Sequence, residues 1–331
     1  MKAALLLLLK AAVTALLLGL LFREHRSTLL APLEGLLANP GWTCTGLAAA
    51  GAALLFAALR WQAVLRGQGL PLPLAELGRL IIIAAFFNTT SLGVVGGDAW
   101  RVLALLRRPG TPRLPVVVSI LLDHLVGLVS LALIFLACAW AVRDRLAHLD
   151  PIALATVQGF AVFMIGTLVT VAVTVVASTP AVHRRLAARL AGGVFQRPAL
   201  QKFVEACDAL RRAWRQSLLA LGHSLLLFAC HFGLFYCGLR AVGGEVPLIE
   251  FLAAMPVIDA AAGLPVSVSG LGVRETTFEI LVGGLTGLAA PLAVAASLAG
   301  WLFTTAWGLL GGLLFVVGRP KPAIHSPRWR K

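Results

Sequence analysis

Charge is scarce in this chain. Only 13% of its 331 residues are Asp, Glu, Lys or Arg, against roughly 25% in a soluble domain. Hydrophobic residues make up 59%, and mean hydropathy is +0.91. This leaves no room for a sizeable soluble domain. Acidic residues are scarcest, 14 against 28 Lys and Arg. The hydrophobic runs are long and do not alternate with polar residues, which excludes a membrane β-barrel. The cysteines, Cys44, Cys138, Cys207, Cys230 and Cys237, form no CxxC pair and read as small buried hydrophobes. No His, Cys and carboxylate cluster has metal-ligand spacing. There is no Walker loop and no Ser-His-Asp order. The glycines at 93–97 lack the βαβ unit of a nucleotide site. Neither metal nor cofactor is expected, and the residues assemble no catalytic set.

What the chain does have is apolar length. Roughly 20 apolar residues cross a bilayer core. Candidate spans are 3–22, 41–60, 114–141, 151–178, 216–238 and 288–318. Two broken segments, 76–98 and 250–286, lie between them. The first run resembles a signal peptide, but Lys10 sits in its middle and no Ala-x-Ala cleavage pattern directly follows. It reads as a retained first helix.

Net charge is +14. In a soluble protein that would suggest nucleic acid; here its placement matters more, and no nucleic-acid partner is expected. Basic residues without matching acids cluster in 101–113, in 179–215 and in the C-terminal tail, whereas 23–40 and 143–150 are balanced. Short cytoplasmic loops hold the Lys/Arg excess, so both termini are expected on the cytoplasmic side. Arg60-Trp61 reads as a snorkelling Arg and an interfacial Trp closing the second span. Arg79 and Arg101 both look cytoplasmic, so the segment between them should enter and return on one side.

The expected fold is therefore an all-α polytopic membrane protein with about six full spans and two re-entrant helical hairpins. The order is span, span, hairpin, span, then the same four elements upside down: an inverted-topology repeat. Residues 1–145 form the first membrane repeat, with hairpin 76–98. Residues 146–320 form the second, with the basic cytoplasmic segment 179–215 and hairpin 250–286. Residues 321–331 are a basic cytoplasmic tail. A plain eight- or nine-span bundle is the alternative. Segment 181–214 has the spacing of a basic amphipathic surface helix, or of an Arg-rich linker.

Each broken segment carries a polar motif, about 175 residues from the other. The first runs from Asn88 through Ser91, Gly96, Gly97 and Asp98 to Arg101. Its glycines suit a backbone nest, or a new helix N-terminus, for an anion, with Asp98 capping or starting the helix that leads to Arg101. The second runs from Pro265 through Ser267, Ser269, Gly270 and Gly272 to Arg274 and Glu275. Pro265 breaks a helix, and Arg274 offers a planar fork to phosphate. These thirteen residues are the expected substrate-binding set. Asp123, Asp259, Glu279 and Lys10 are candidates for ion pairing or proton coupling, because ionisable groups at membrane depth are costly and mark sites. Asp123 lies too deep to snorkel and should pair with an arginine or histidine. His223 and His231 read as hydrogen-bonded core histidines.

Arg60-Trp61, the Asn88 to Arg101 segment and the Pro265 to Glu275 segment resemble the lysylphosphatidylglycerol synthase transmembrane-region family, also described as flippase-like integral membrane proteins. The resemblance covers roughly 5–318. It implies a multi-pass protein of the bacterial cytoplasmic (inner) membrane that binds or translocates lipids. In well-known members a soluble aminoacyltransferase domain follows. This chain ends at Lys331, so a stand-alone member without synthase activity is expected. Relatives associated with polyprenyl-linked sugars or hopanoids leave the lipid open among anionic, polyprenyl and hopanoid types. Where relatives often show an acidic–Arg pair, this chain has Asp123-His124. The expected function is a flippase-like lipid transporter. The alternatives are a membrane-embedded lipid headgroup transferase, or a non-transporting scaffold for a lipid-modifying partner. A homo-oligomer is compatible with each.

Overall fold

A computed structural model describes residues 31–90, 94–177, 179, 211–264 and 266–318. The described residues are helical, with no strand. A short helix α1 (Ala31–Ala38) precedes α2 (Pro40–Gly67). Helices α3 (Leu74–Thr90) and α4 (Val94–Leu106) form a hairpin. Then come α5 (Arg113–Ala141), a single turn α6 (Arg143–Leu146) and α7 (Pro151–Ala177). Helix α8 (Trp214–Ala241) leads to a second hairpin, whose first arm is α9 (Leu248–Gly263). A 3-10 turn, Val268–Gly270, reverses the chain. The second arm, α10, comprises Val273–Phe278, a π-helical turn Glu279–Gly283, and Gly284–Thr286. Helix α11 (Ala290–Val317) closes the fold.

Among the described residues five helices, α2, α5, α7, α8 and α11, are long and apolar enough to cross a membrane. They match five of the six expected spans; the run 3–22, with Lys10, lies outside the described residues. The hairpin arms are shorter. Arms of 17 and 13 residues reach about 25 and 20 Å at 1.5 Å per residue, short of a hydrocarbon core of about 30 Å. The first hairpin extends to Leu106 rather than stopping at 98. The second begins at Leu248 and ends at Thr286.

Helices α2 and α8 pack along one another; α11 lies against α8 and α3, and α5 against α9 and α8. Small residues allow this closeness, as in membrane bundles generally. A Cβ at Gly311 would lie 2.0 Å from the Ile82 carbonyl oxygen, and one at Gly46 would lie 2.3 Å from the Phe303 ring. The main core lies among α5, α8, α9, α10 and α11 and includes Phe135, Phe232, Phe251 and Phe278. A smaller one, around Trp61, Leu65, Leu77 and Leu105, holds the first hairpin to α2.

Contacts at the hairpin ends fix where each opens. Glu76, at the start of α3, pairs with Arg108, just beyond α4. A side chain at Gly318, after α11, would meet the Arg79 guanidinium. These residues lie at the end of the bundle where α5 begins. The second hairpin opens where α5 finishes. Arg145 of α6 pairs with Glu250 of α9 at 3.0 Å, and a Cβ at Gly284 of α10 would lie 3.0 Å from Leu149. The two tips approach each other. Thr89 lies against Gly308, and Ser269 Oγ accepts from Trp301 Nε1 at 3.3 Å. Both places are near the middle of α11, about 10 Å apart along it, and α3 packs on the Val268–Gly270 turn.

The Arg60-Trp61 pair corrects the sequence reading. Helix α2 continues to Gly67, so the pair sits about two turns inside the helix. Trp61 is fully buried, and its Nε1 donates to Ser119 Oγ. Gln62 is also buried and donates to the Leu72 carbonyl, which ties the α2–α3 turn to the helix.

Candidate functional site

Two ionic clusters lie inside the bundle, one in each half. Asp123, 1% exposed, is the centre of the first. It accepts from Arg60 at two positions, Nε to Oδ1 at 2.8 Å and Nη2 to Oδ2 at 3.2 Å. Arg101 Nη2 donates to the same Oδ2 at 2.8 Å. The depth of Asp123 therefore does indicate an arginine partner, and in fact it has two. Arg101 also donates to Asp98 Oδ1 at 3.1 Å, and its guanidinium lies 4.1 Å from the Trp61 ring centroid. Arg60 Nη1 donates to Ser224 of α8 at 3.2 Å. His124 Nε2 lies 2.6 Å from Asp98 Oδ2. Four helices, α2, α4, α5 and α8, thus meet on one set of hydrogen bonds. Two arginines, Arg101 buried and Arg60 nearly so, face two carboxylates, so the centre is balanced. Its rim is not sealed: Asp98 is 22% and His124 48% exposed.

In the first motif Gly96 and Gly97 lie in the first turn of α4, a new helix start of the kind expected as one form of the anion site, and Asp98 follows inside the helix rather than capping it. The glycines let the hairpin arms touch. A Cβ at Gly96 would sit 2.9 Å from the Phe87 carbonyl oxygen, and one at Gly97 would sit 2.8 Å from that of Ala84. Asn88 Oδ1 accepts the Gly97 N–H at 3.0 Å. Ser91 lies outside the described residues.

The second cluster follows the second motif closely. Ser269, Gly270 and Gly272 all take left-handed backbone; Ser269 is the only described non-glycine to do so. These angles reverse the chain over few residues. Glu275, 0% exposed, accepts the Gly272 N–H at 2.6 Å and so caps α10. Its other oxygen accepts from Arg274 Nη2 at 3.2 Å and from Ser297 Oγ at 2.9 Å. Arg274 Nε donates to the same hydroxyl at 3.3 Å, and its guanidinium lies 5.6 Å from the Phe235 ring. Ser267 is buried, its hydroxyl without a hydrogen-bond partner among the described residues. Pro265 lies outside the described residues.

Asp259 is 2.9 Å from His231 Nε2 and partly exposed; Arg274 acts on it electrostatically. The second cluster thus repeats the plan of the first, a buried Arg–carboxylate core with a His–Asp pair at its edge. Glu279 opens the π-helical turn, a distortion frequent at functional sites, and has no ion pair among the described residues.

The ion pairs run within each half. Asp98 turns to Arg101 and His124, and Glu275 to Arg274; neither Asp98–Arg274 nor Glu275–Arg101 is an ion pair here. The residues that sequence reasoning missed are Arg60 as a core partner, Trp61 beneath Arg101, Ser224 and Ser297; His124 and His231 were singled out, but not as partners of Asp98 and Asp259. Only Arg60 had a usable signal, since a deep Asp123 needs a deep cation.

The chain matches no curated protein. Its helical membrane architecture, with a polar motif in each hairpin, agrees with a match over residues 7–312 to the family described as the lysylphosphatidylglycerol synthase TM region. The chain belongs to that family.

Proposed function

We propose that this protein carries lipids between the leaflets of a bacterial cytoplasmic membrane, as a flippase-like transporter with both termini in the cytoplasm. One observation carries the reading: two hairpins open at opposite ends of the bundle, each has a buried Arg–carboxylate core, and their tips meet near mid-length of α11. Broken helices at membrane depth are the usual location of transporter substrate sites. In this reading both hairpins are re-entrant, and residues 1–145 and 146–320 form an inverted repeat. The repeat is supported by matching parts: Arg101 over Trp61 corresponds to Arg274 over Phe235, and Gly96 to Gly270, at a common offset of about 175 residues.

The headgroup binds by exchange. Arg101 and Arg274 are already paired, so an incoming phosphate must displace a carboxylate. Asp98 is the exchangeable one in the first cluster, because it lies at the rim while Asp123 is sealed. His124 sits where Asp98, released from Arg101, can still find a partner or a proton. An anionic lipid fits this exchange best, whether a phospholipid or a polyprenyl phosphate. Hopanoids, with no phosphate, would have to use the hydroxyl and amide groups of Ser267, Ser269 and Asn88.

Native mass spectrometry of gently purified protein tests the class of lipid. A co-purifying phosphate-bearing lipid, lost on Arg101→Gln or Arg274→Gln, is the expected result. Retention of only uncharged lipid would overturn the exchange.

A further inference from the structure

The charges of the first cluster can be counted. Arg60 and Arg101 supply the positive charges, Asp123 and Asp98 the negative ones. With a neutral imidazole at His124 the sum is zero. A site shielded from water favours that balance, because an uncompensated charge there is costly. A phosphodiester lipid that takes Arg101 from Asp98 brings one more negative charge and no cation.

The elements around the cluster leave one group to absorb that charge. Helix α2 supplies Arg60 and α4 supplies Arg101, and both are held by Asp123 of α5. Helix α8 presents Ser224, bonded to Arg60, and beside it His223, stacked on Phe56 of α2. Helix α7 has no ionisable residue. On α9, Asp259 is held by His231 and Glu250 by Arg145. His124 remains. Its Nε2 lies 2.6 Å from Asp98 Oδ2, and its side chain is exposed at the rim, on the path the headgroup uses. Histidine is the residue type that changes charge most readily near neutral pH.

We propose that each anionic lipid bound at the first cluster brings one proton with it, carried on His124. The inference rests on the phosphate exchange proposed above. In the resting site the Nε2–H donates to Asp98, which leaves Nδ1 as the free lone pair. When phosphate takes the Arg101 Nη1 donor, Nδ1 takes a proton from water at the rim. The imidazolium then neutralises Asp98 as Arg101 did, and the filled site sums to zero again. Release of the lipid returns the proton to water. A lipid that crosses in this state crosses with its proton, so a pH difference across the membrane drives it.

Isothermal titration calorimetry counts the proton. Full-length protein in detergent is titrated with dihexanoyl phosphatidylglycerol, in two buffers of equal pH and different ionisation heat. At about pH 8 wild type should take up about one proton per lipid, and Kd should rise by up to about tenfold per further pH unit. His124→Gln keeps a hydrogen-bond donor for Asp98 but carries no proton. It should bind several-fold more weakly, with no uptake. His124→Lys, with a fixed charge, should bind more tightly than His124→Gln, again with no uptake. Asp98→Asn removes the charge that the proton offsets, so it should bind more tightly than wild type and take up none. A merely structural His124 would change affinity without changing the proton count. Binding by wild type without proton uptake would overturn the proposal and leave the exchange standing. Uptake that survives in both His124 variants would overturn it too. Proton uptake by a wild type that flips no lipid would uphold the coupling and remove the transport reading.

Discussion

Asp123 and Arg60 meet through two hydrogen bonds, although 63 residues separate them. Asp123 is buried and Arg60 nearly so, and Arg101 completes the carboxylate's shell. Burying a balanced set of charges adds little net stability, but removing one member strands the others without water. Asp123→Asn should therefore cost about 3–5 kcal/mol and lower the thermal midpoint clearly in detergent or nanodiscs. Asp98→Asn should cost much less, because that carboxylate lies at the rim. Equal losses from the two would contradict the assignment of Asp123 as the centre.

Arg274→Lys tests geometry apart from charge. Arg274 reaches Ser297 through Nε and Glu275 through Nη2 while lying over Phe235. A lysine ammonium is a point charge and cannot keep all three contacts. Lipid retention or transport should fall several-fold although the charge is unchanged. Activity equal to wild type would show that only the charge matters.

Glycine substitutions separate packing from local helix propensity. At Gly311 an alanine would collide with the backbone of Ile82, and overpacking of this kind costs roughly 1–3 kcal/mol. At Gly159, in α7, nothing lies within 4 Å. There alanine should be neutral or stabilising by about 0.5–1 kcal/mol, from helix propensity alone. Thermal midpoints of the two variants should move in opposite directions, or only that of Gly311→Ala should move. Equal shifts would mean that α3 does not pack against α11 as described.

Coupling energies test the separation of the clusters. Double-mutant cycles measure interaction between neighbours and vanish for distant sites. The Arg101–Asp123 cycle should show strong coupling. The cross-pairs Asp98–Arg274 and Glu275–Arg101 should show none at rest, because each carboxylate already has an arginine in its own half. Strong coupling across the halves would point to one merged cavity instead.

The long helices were legible because hydrophobicity alone specifies a span, and each break showed where Gly, Pro and Ser accumulate. Asp123 was legible as a charge needing a partner. Arg60-Trp61 was misread because Ala63, Val64 and Leu65 carry the helix on past a pair that resembles an interfacial anchor. That the glycines at 96 and 97 also let the hairpin arms touch was not legible, because the same residue type serves a freed backbone and a close helix contact. His231 and Asp259 each read as needing a partner, but that they pair with each other, and that Arg274 reaches Ser297, had no signal, since partners 28 and 23 residues away meet only after the hairpin docks.

Topology follows from where the hairpins open. Single cysteines at Gly110 and at Glu245, in a cysteine-free background, should react with an impermeant maleimide from opposite sides of the membrane. Labelling from the same side would remove the inverted repeat.

The central claim is movement of lipid, and a flip assay tests it most directly. Liposomes containing purified protein and a trace of fluorescent anionic lipid are treated with an impermeant quencher. Protein-bearing vesicles should lose well over half their signal, because lipid reaches the outer leaflet. Arg274→Gln vesicles should stop near the half expected from the outer leaflet alone. Wild-type vesicles that also stop at that half would contradict the account.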